Sequence, residues 1–324
     1  MPARLLAVVL AAAAALTTCT AAGTATPRVR TWTIHYLDHS GQRRAAYVVA
    51  PAWYRPSRTS RLPLVISPHG RGVSGRANAR LWGALPDRGS FLVVSPDGTS
   101  RYSWGAPGQI EDLARMPEIV QRTLPWVRID WHRIYAFGGS MGGQETLLLL
   151  ARHPHLLAGA AAFDSVTDFA RQYRSFPQLR CSGGCVKSWK GQLGRGLQGL
   201  ARTQIGGTPK TAPVRYELRS PITYARAIAA SCVPLQMWWS VADQIVLDQQ
   251  QQSGRFFWLL RKLNSRAPVA AYVGNWMHSS EMRAKGKLPI ALAAFGLLPP
   301  RLEDPELHHV KAPPRSDTCG MPDG

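Results

Sequence analysis

The feature that most constrains this chain is Gly138-Gly139-Ser140-Met141-Gly142, because of what stands on either side of it. Arg133 to Phe137 (RIYAF) has strand character and runs straight into it, and the Leu-rich stretch Gln144 to Arg152 leaves it as a helix. A G-x-S-x-G run in that setting is a tight strand-to-helix turn that lifts the Ser hydroxyl clear of the sheet. Glycines two residues before and two after the Ser relieve the crowding such a turn creates. Ser140 is therefore the candidate nucleophile.

The rest of the chain supplies a sheet for that turn to stand on. Val29 to Leu37 and Ala45 to Ala50 read as an antiparallel pair about Ser40-Gly41. Leu62 to Ser67, Phe91 to Ser95, Ala158 to Phe163, Pro234 to Ser240 and Val269 to Val273 are apolar runs of strand length. Helical periodicity separates several of them: Ile110 to Leu124 has apolar residues at helical spacing, and Gln249 to Leu263 reads as another helix. Continuous apolar strands alternating with helices predict an α/β fold, a mostly parallel sheet covered on both faces. After the sixth strand the alternation breaks down in a Gly- and Pro-containing stretch, about 165–231, expected to be a cap-like insertion.

A Ser hydroxyl is a weak nucleophile until a base takes its proton, and the base needs an orienting acid. On a strand–turn–helix nucleophile the acid and then the His follow the Ser in the chain. Asp243 comes just after the strand ending at Ser240, and His278 follows the next strand in Gly274-Asn275-Trp276-Met277. Asp164, after the strand that follows the elbow, is a rival acid, and Asp248 is better read as a helix N-cap. His308 and His309 fall in a tail without strand context, and His153 and His155 close the helix after the elbow, where a positive side chain suits the dipole. For the oxyanion, one N–H donor is expected from Met141 and another from His69-Gly70-Arg71-Gly72, with Arg71 favoured and Gly70 as alternate.

Together these residues resemble the α/β-hydrolase superfamily, from about residue 45 to 285. The resemblance is to secreted bacterial esterases related to polyhydroxybutyrate depolymerases and feruloyl esterases, and to prolyl oligopeptidase catalytic domains. It implies an α/β-hydrolase fold and hydrolysis of an ester or amide through an acyl-enzyme on a Ser-His-Asp triad, with no metal or organic cofactor. The 324 residues leave no room for the propeller of a prolyl oligopeptidase, which favours a carboxylesterase over a peptidase. A peptidase or acyltransferase would use the same triad. A non-catalytic binding protein for anionic cell-surface polymers is the rival from another class.

Composition adds the setting. Residues 1–23 read as a signal peptide: Arg4, then a twelve-residue apolar run from Leu5 to Leu16, then small residues. Leu16-Thr17-Thr18-Cys19 resembles a lipobox, but Thr18 departs from the Gly, Ala or Ser usual before that Cys, so secretion is expected, with attachment to the outer face of the membrane only if Cys19 is lipidated. Residues 24–300 form the expected hydrolase domain and 301–324 a tail. Cys181, Cys185, Cys232 and Cys319 suit two disulfides of an exported protein, Cys181 with Cys185 and Cys232 with Cys319. The formal net charge is +20, but only seven of 39 basic residues are Lys and the Arg are scattered, so nucleic acid is not an expected partner. The substrate expected is a small or polymeric ester. Of eleven Trp, Trp82, Trp104, Trp239 and Trp276, with Tyr102, are expected to ring the mouth of the site and bind substrate.

Overall fold

The computed structural model describes residues 28–55, 59–182, 193–300, 307–310 and 319. The signal segment, Cys19 and Cys185 lie outside the described residues, as does most of the tail.

Among the described residues nine strands form one sheet: β1 Val29–Leu37, β2 Arg43–Pro51, β3 Leu62–Ile66, β4 Leu92–Pro96, β5 Ile129–Gly139, β6 Gly159–Phe163, β7 Leu235–Ser240, β8 Val269–Gly274 and β9 His308–Val310. Their spatial order is β1-β2-β4-β3-β5-β6-β7-β8-β9. From β4 through β8 every neighbouring pair is parallel, and β1, β2 and β9 pair antiparallel. The apolar runs are continuous because both faces are covered. Along β3, Leu64 and Ile66 join one hydrophobic cluster while Val65 joins the cluster on the other face.

Stacked aromatic rings fix the part of the sheet that carries the site. Phe163, Trp238 and Tyr272 are in register on β6, β7 and β8. Their ring centroids lie 5.1 and 3.9 Å apart, with planes within 13° of parallel. Such contacts contribute about 0.5–1.5 kcal/mol each beyond burial. They hold level the three strand ends from which Asp164, Asp243 and His278 depart.

Three local expectations are corrected. The helix expected over Ile110–Leu124 is two helices, Pro107–Ala114 and Met116–Thr123, parted at Arg115. Pro117 has no N–H to give and its ring crowds the preceding turn, so one continuous helix is disfavoured. Asp248 stands before the short 3₁₀ turn Gln249–Gln251 but makes no cap; its backbone is left-handed and its carboxylate pairs with Arg171 at 3.1 Å. His308 and His309 are not in an unstructured tail, since β9 adds to β8 as an edge strand. Nearby, Cys319 is disulfide-bonded to Cys232 as expected. Cys181 is also disulfide-bonded, on the side of the insertion.

The insertion is a helical cap with its own core. Helices Phe169–Ser175, Arg195–Ile205 and Pro213–Glu217 gather Phe169, Phe176, Leu197, Ile205 and Tyr216 into a third apolar cluster. That cluster also contains Met141 and Trp104 from the body, so the cap is packed onto the elbow itself.

Candidate active site

Ser140 sits where β5 becomes the helix Met141–Arg152, with φ 58° and ψ −123°. A positive φ on a non-glycine residue costs on the order of 1–3 kcal/mol and persists only where the surroundings enforce it. Here the Ser140 N–H donates to the Phe163 carbonyl at 2.8 Å, and its carbonyl accepts the Gln144 N–H at 3.0 Å. The two motif glycines answer separate collisions. A Cβ on Gly138 would strike the Gly142 backbone, and one on Gly142 would strike the Pro68 carbonyl. The second collision explains how the loop after β3 comes to lie on the elbow.

That loop reaches the nucleophile at Gly70, where a Cβ would stand 4.0 Å from the Ser140 Cβ. His69 is buried as a loop brace, its two ring nitrogens bonded to the carbonyls of Gly70 and Asp97 at 2.9 Å. Arg71 and Met141 both line a cavity at Ser140, so the two residues expected to offer oxyanion amides are brought together. Behind Met141, the Trp104 N–H points at its sulfur at 3.3 Å, and Ser103 Oγ donates to the buried carboxyl of Glu145. Burial raises the pKa of Glu145.

Asp243 and His278 meet as the sequence predicts. His278 Nδ1 lies 2.8 Å from Asp243 Oδ2, and both side chains are buried. A carboxylate can only accept, so Nδ1 carries the proton and Nε2 keeps the lone pair a base needs. Asp243 Oδ1 accepts from the amides of Ile245 (2.8 Å) and Val246 (3.0 Å), and Oδ2 also accepts from Gln249 Nε2 (3.0 Å). Burial alone would raise the Asp243 pKa, but His278 and these donors outweigh it and hold the group below its ordinary value. For His278, burial acts downward, while the charge and hydrogen bond of Asp243, with Asp164 beyond, bring the net shift upward. The loop bearing His278 packs on the elbow: a Cβ on Gly139 would stand 3.2 Å from Ser279 Oγ and 3.3 Å from Met282 Cβ.

Asp164, weighed in the sequence as a rival acid, is instead the tie between these loops. Its Oδ1 accepts the Ser240 N–H, and its Oδ2 accepts Trp276 Nε1 and the Ser279 N–H, each at 2.8 Å. It thereby joins the ends of β6 and β7 to the loop after β8, while His278 pairs with Asp243. Burial, then the charge of Asp243, push the Asp164 pKa up to about 7. Ligand atoms of Asp164, Asp243 and His278 lie within 4.8 Å of one another. The two carboxylates are occupied by N–H donors on every oxygen, so the cluster is a hydrogen-bond network rather than a cradle for a cation.

The expected aromatic ring is mostly elsewhere. Trp82 is core, donating to Ser67 Oγ at 3.0 Å, and Trp239 packs inside against Phe257. Trp276 is buried as the partner of Asp164. Trp104 does line the cavity at Ser140, and Tyr102 lies beneath the Arg71 guanidinium, 5.9 Å from its ring centre. Gln249, Gln144, Gln172, Phe176 and Leu197 were not singled out from the sequence. Gln144 and Gln249 had a local signal, each opening a helical stretch, four residues after Ser140 and six after Asp243.

Over 86% of this chain, a puromycin-hydrolysing peptidase from Mycobacterium tuberculosis superposes with a TM-score of 0.61 at 21% identity. The fluorophosphonate-binding serine hydrolase FphF of Staphylococcus aureus superposes over 78%, with a TM-score of 0.56 at 15% identity. This is the α/β-hydrolase fold. The chain covers 41% of the peptidase and 92% of FphF. In sequence it is similar to a candidate non-heme haloperoxidase of Mycobacterium phage D29, 32% identical over 103 residues. It is also similar to a bifunctional acetylxylan esterase/xylanase of Neocallimastix patriciarum, 29% identical over 129 residues. The matches span 32% and 39% of this chain, and only 36% and 18% of those two relatives. No family model matches.

Proposed function

We propose that this protein is a serine hydrolase that cleaves carboxylic esters through an acyl-enzyme on Ser140. The observation that carries the reading is the buried His278–Asp243 pair, 2.8 Å apart, with the loop of His278 packed against the positive-φ turn that bears Ser140. His278 Nε2 takes the Ser140 proton as Oγ attacks the ester carbonyl carbon. The carbonyl oxygen becomes an oxyanion facing the amides of Met141 and Arg71, with Gly70 as the alternate donor, at the positive end of the helix Met141–Arg152. His278 then protonates the leaving alkoxide, the C–O bond breaks, and the acyl group stays on Ser140. Water gives a proton to His278 and attacks the acyl carbon, and the carboxylic acid leaves as Ser140 regains its hydrogen. Asp243 fixes the imidazole tautomer and stabilises the imidazolium in both halves.

The match to an acetylxylan esterase favours ester over amide substrates, and the Cys232–Cys319 disulfide fits an oxidising, extracellular setting. The test is labelling of the purified mature protein by a fluorophosphonate probe beside Ser140→Ala, followed by matched ester and anilide substrates. Labelling that is lost in the variant, with ester turnover well above anilide turnover, supports the reading. Folded wild type that does not label overturns it in favour of a binding protein on this scaffold.

A further inference from the structure

The cavity at Ser140 has a direction. Arg71 and Met141 line it, and His278 does not. A tetrahedral carbon on Ser140 Oγ carries three other substituents. The oxyanion faces the amides, and the leaving oxygen must face His278 to receive its proton. The acyl chain takes the remaining direction, into this cavity.

The space there is small. It amounts to about 20 Å³, on the order of one water molecule's requirement. Ile245 and Val246 form its body side, Val166 lines it at the start of the insertion, and Phe176 and Leu197, each 1% exposed, close it from the cap. These closing residues are not a loose flap. Phe176 packs 6.0 Å from Trp104, which packs 5.2 Å from Phe169, within the cap's own core.

Resting on the hydrolase reading, we infer that this cavity is the acyl pocket, that it takes an acyl group of about two or three carbons, acetyl foremost, and that Phe176 and Leu197 set that limit. Each added methylene must displace packed side chains, and a single methylene at such a wall is worth about tenfold or more in kcat/KM.

The experiment is a p-nitrophenyl acetate, butyrate and octanoate series on wild type, Phe176→Ala and Leu197→Ala, each preparation titrated with the fluorophosphonate probe. The expected result is kcat/KM highest for acetate and lower by about tenfold or more at butyrate and again at octanoate. Either variant is expected to raise the butyrate-to-acetate ratio by about fivefold or more. Labelled wild type that prefers octanoate, or shows no chain-length preference, overturns the pocket assignment while the hydrolase reading stands. Absence of labelling overturns both. Should one cap variant fail to fold, the wild-type series and the other variant still decide the matter.

Discussion

The corner at the ends of β6, β7 and β8 and the cap above it are held by opposite means. At the corner, Asp164 and Asp243 are saturated with N–H donors, and each bond has one acceptable geometry. In the cap, Phe169, Tyr173, Ile205 and Tyr216 cohere through apolar contact, which is non-directional and tolerates small changes of shape. The proposed acid–base chemistry needs its atoms placed closely, whereas a wall proposed to limit acyl length needs only volume. Isosteric changes should therefore be severe at the corner and mild in the cap.

The largest expected effect is Asp243→Asn, which keeps the shape but presents an amide to His278 and favours the wrong tautomer; kcat is expected to fall by about 10⁴-fold. Steady-state kinetics with the fold checked by circular dichroism would test this, and a loss under tenfold would break the contrast. Asp164→Asn comes next. Its amide must set an N–H against one of three donors, so kcat is expected to fall by about 10–100-fold. Because the Asp164 charge helps to raise the His278 pKa, its loss should move the acid limb of the kcat/KM profile to lower pH. In wild type that limb should lie above the ordinary His value of 6.5.

The same carboxyl also predicts a stability change. Its pKa is raised from 3.8 to about 7 in the folded protein, so the stability it contributes is fully present below pH 3.8 and is lost as pH rises through 7. Denaturant midpoints of wild type and Asp164→Asn should therefore shift in favour of the variant across that window. The smallest effect is expected at Ile205→Val in the cap: about 0.5–1.5 kcal/mol of stability by denaturant unfolding, with chain-length preference intact. A collapse of activity there would show that the cap is as strictly coupled to the chemistry as the corner.

The sequence by itself determined the elbow, because strand, turn and helix are contiguous and each motif glycine answers a collision within or just beyond that turn. It also located Asp243 and His278, since a residue just after a buried parallel strand emerges at the sheet's C-terminal edge wherever its neighbours lie. The two helices at Pro117 were legible in principle and obscured by an apolar period that runs through the break. What the tertiary structure alone decided is which groups from distant strands meet. Asp164 could be read as a rival acid, but its task depends on Ser240, Trp276 and Ser279 arriving together, 76 to 115 residues away along the chain. Trp82, Trp239 and Trp276 could be placed on loops or strand ends but not turned inward, because facing is set by packing rather than by residue type. Phe176 and Leu197 came from a stretch without strong periodicity, so only the folded cap could set them above Ser140. Local sterics are written along the chain, and long-range juxtaposition is written only in the packing.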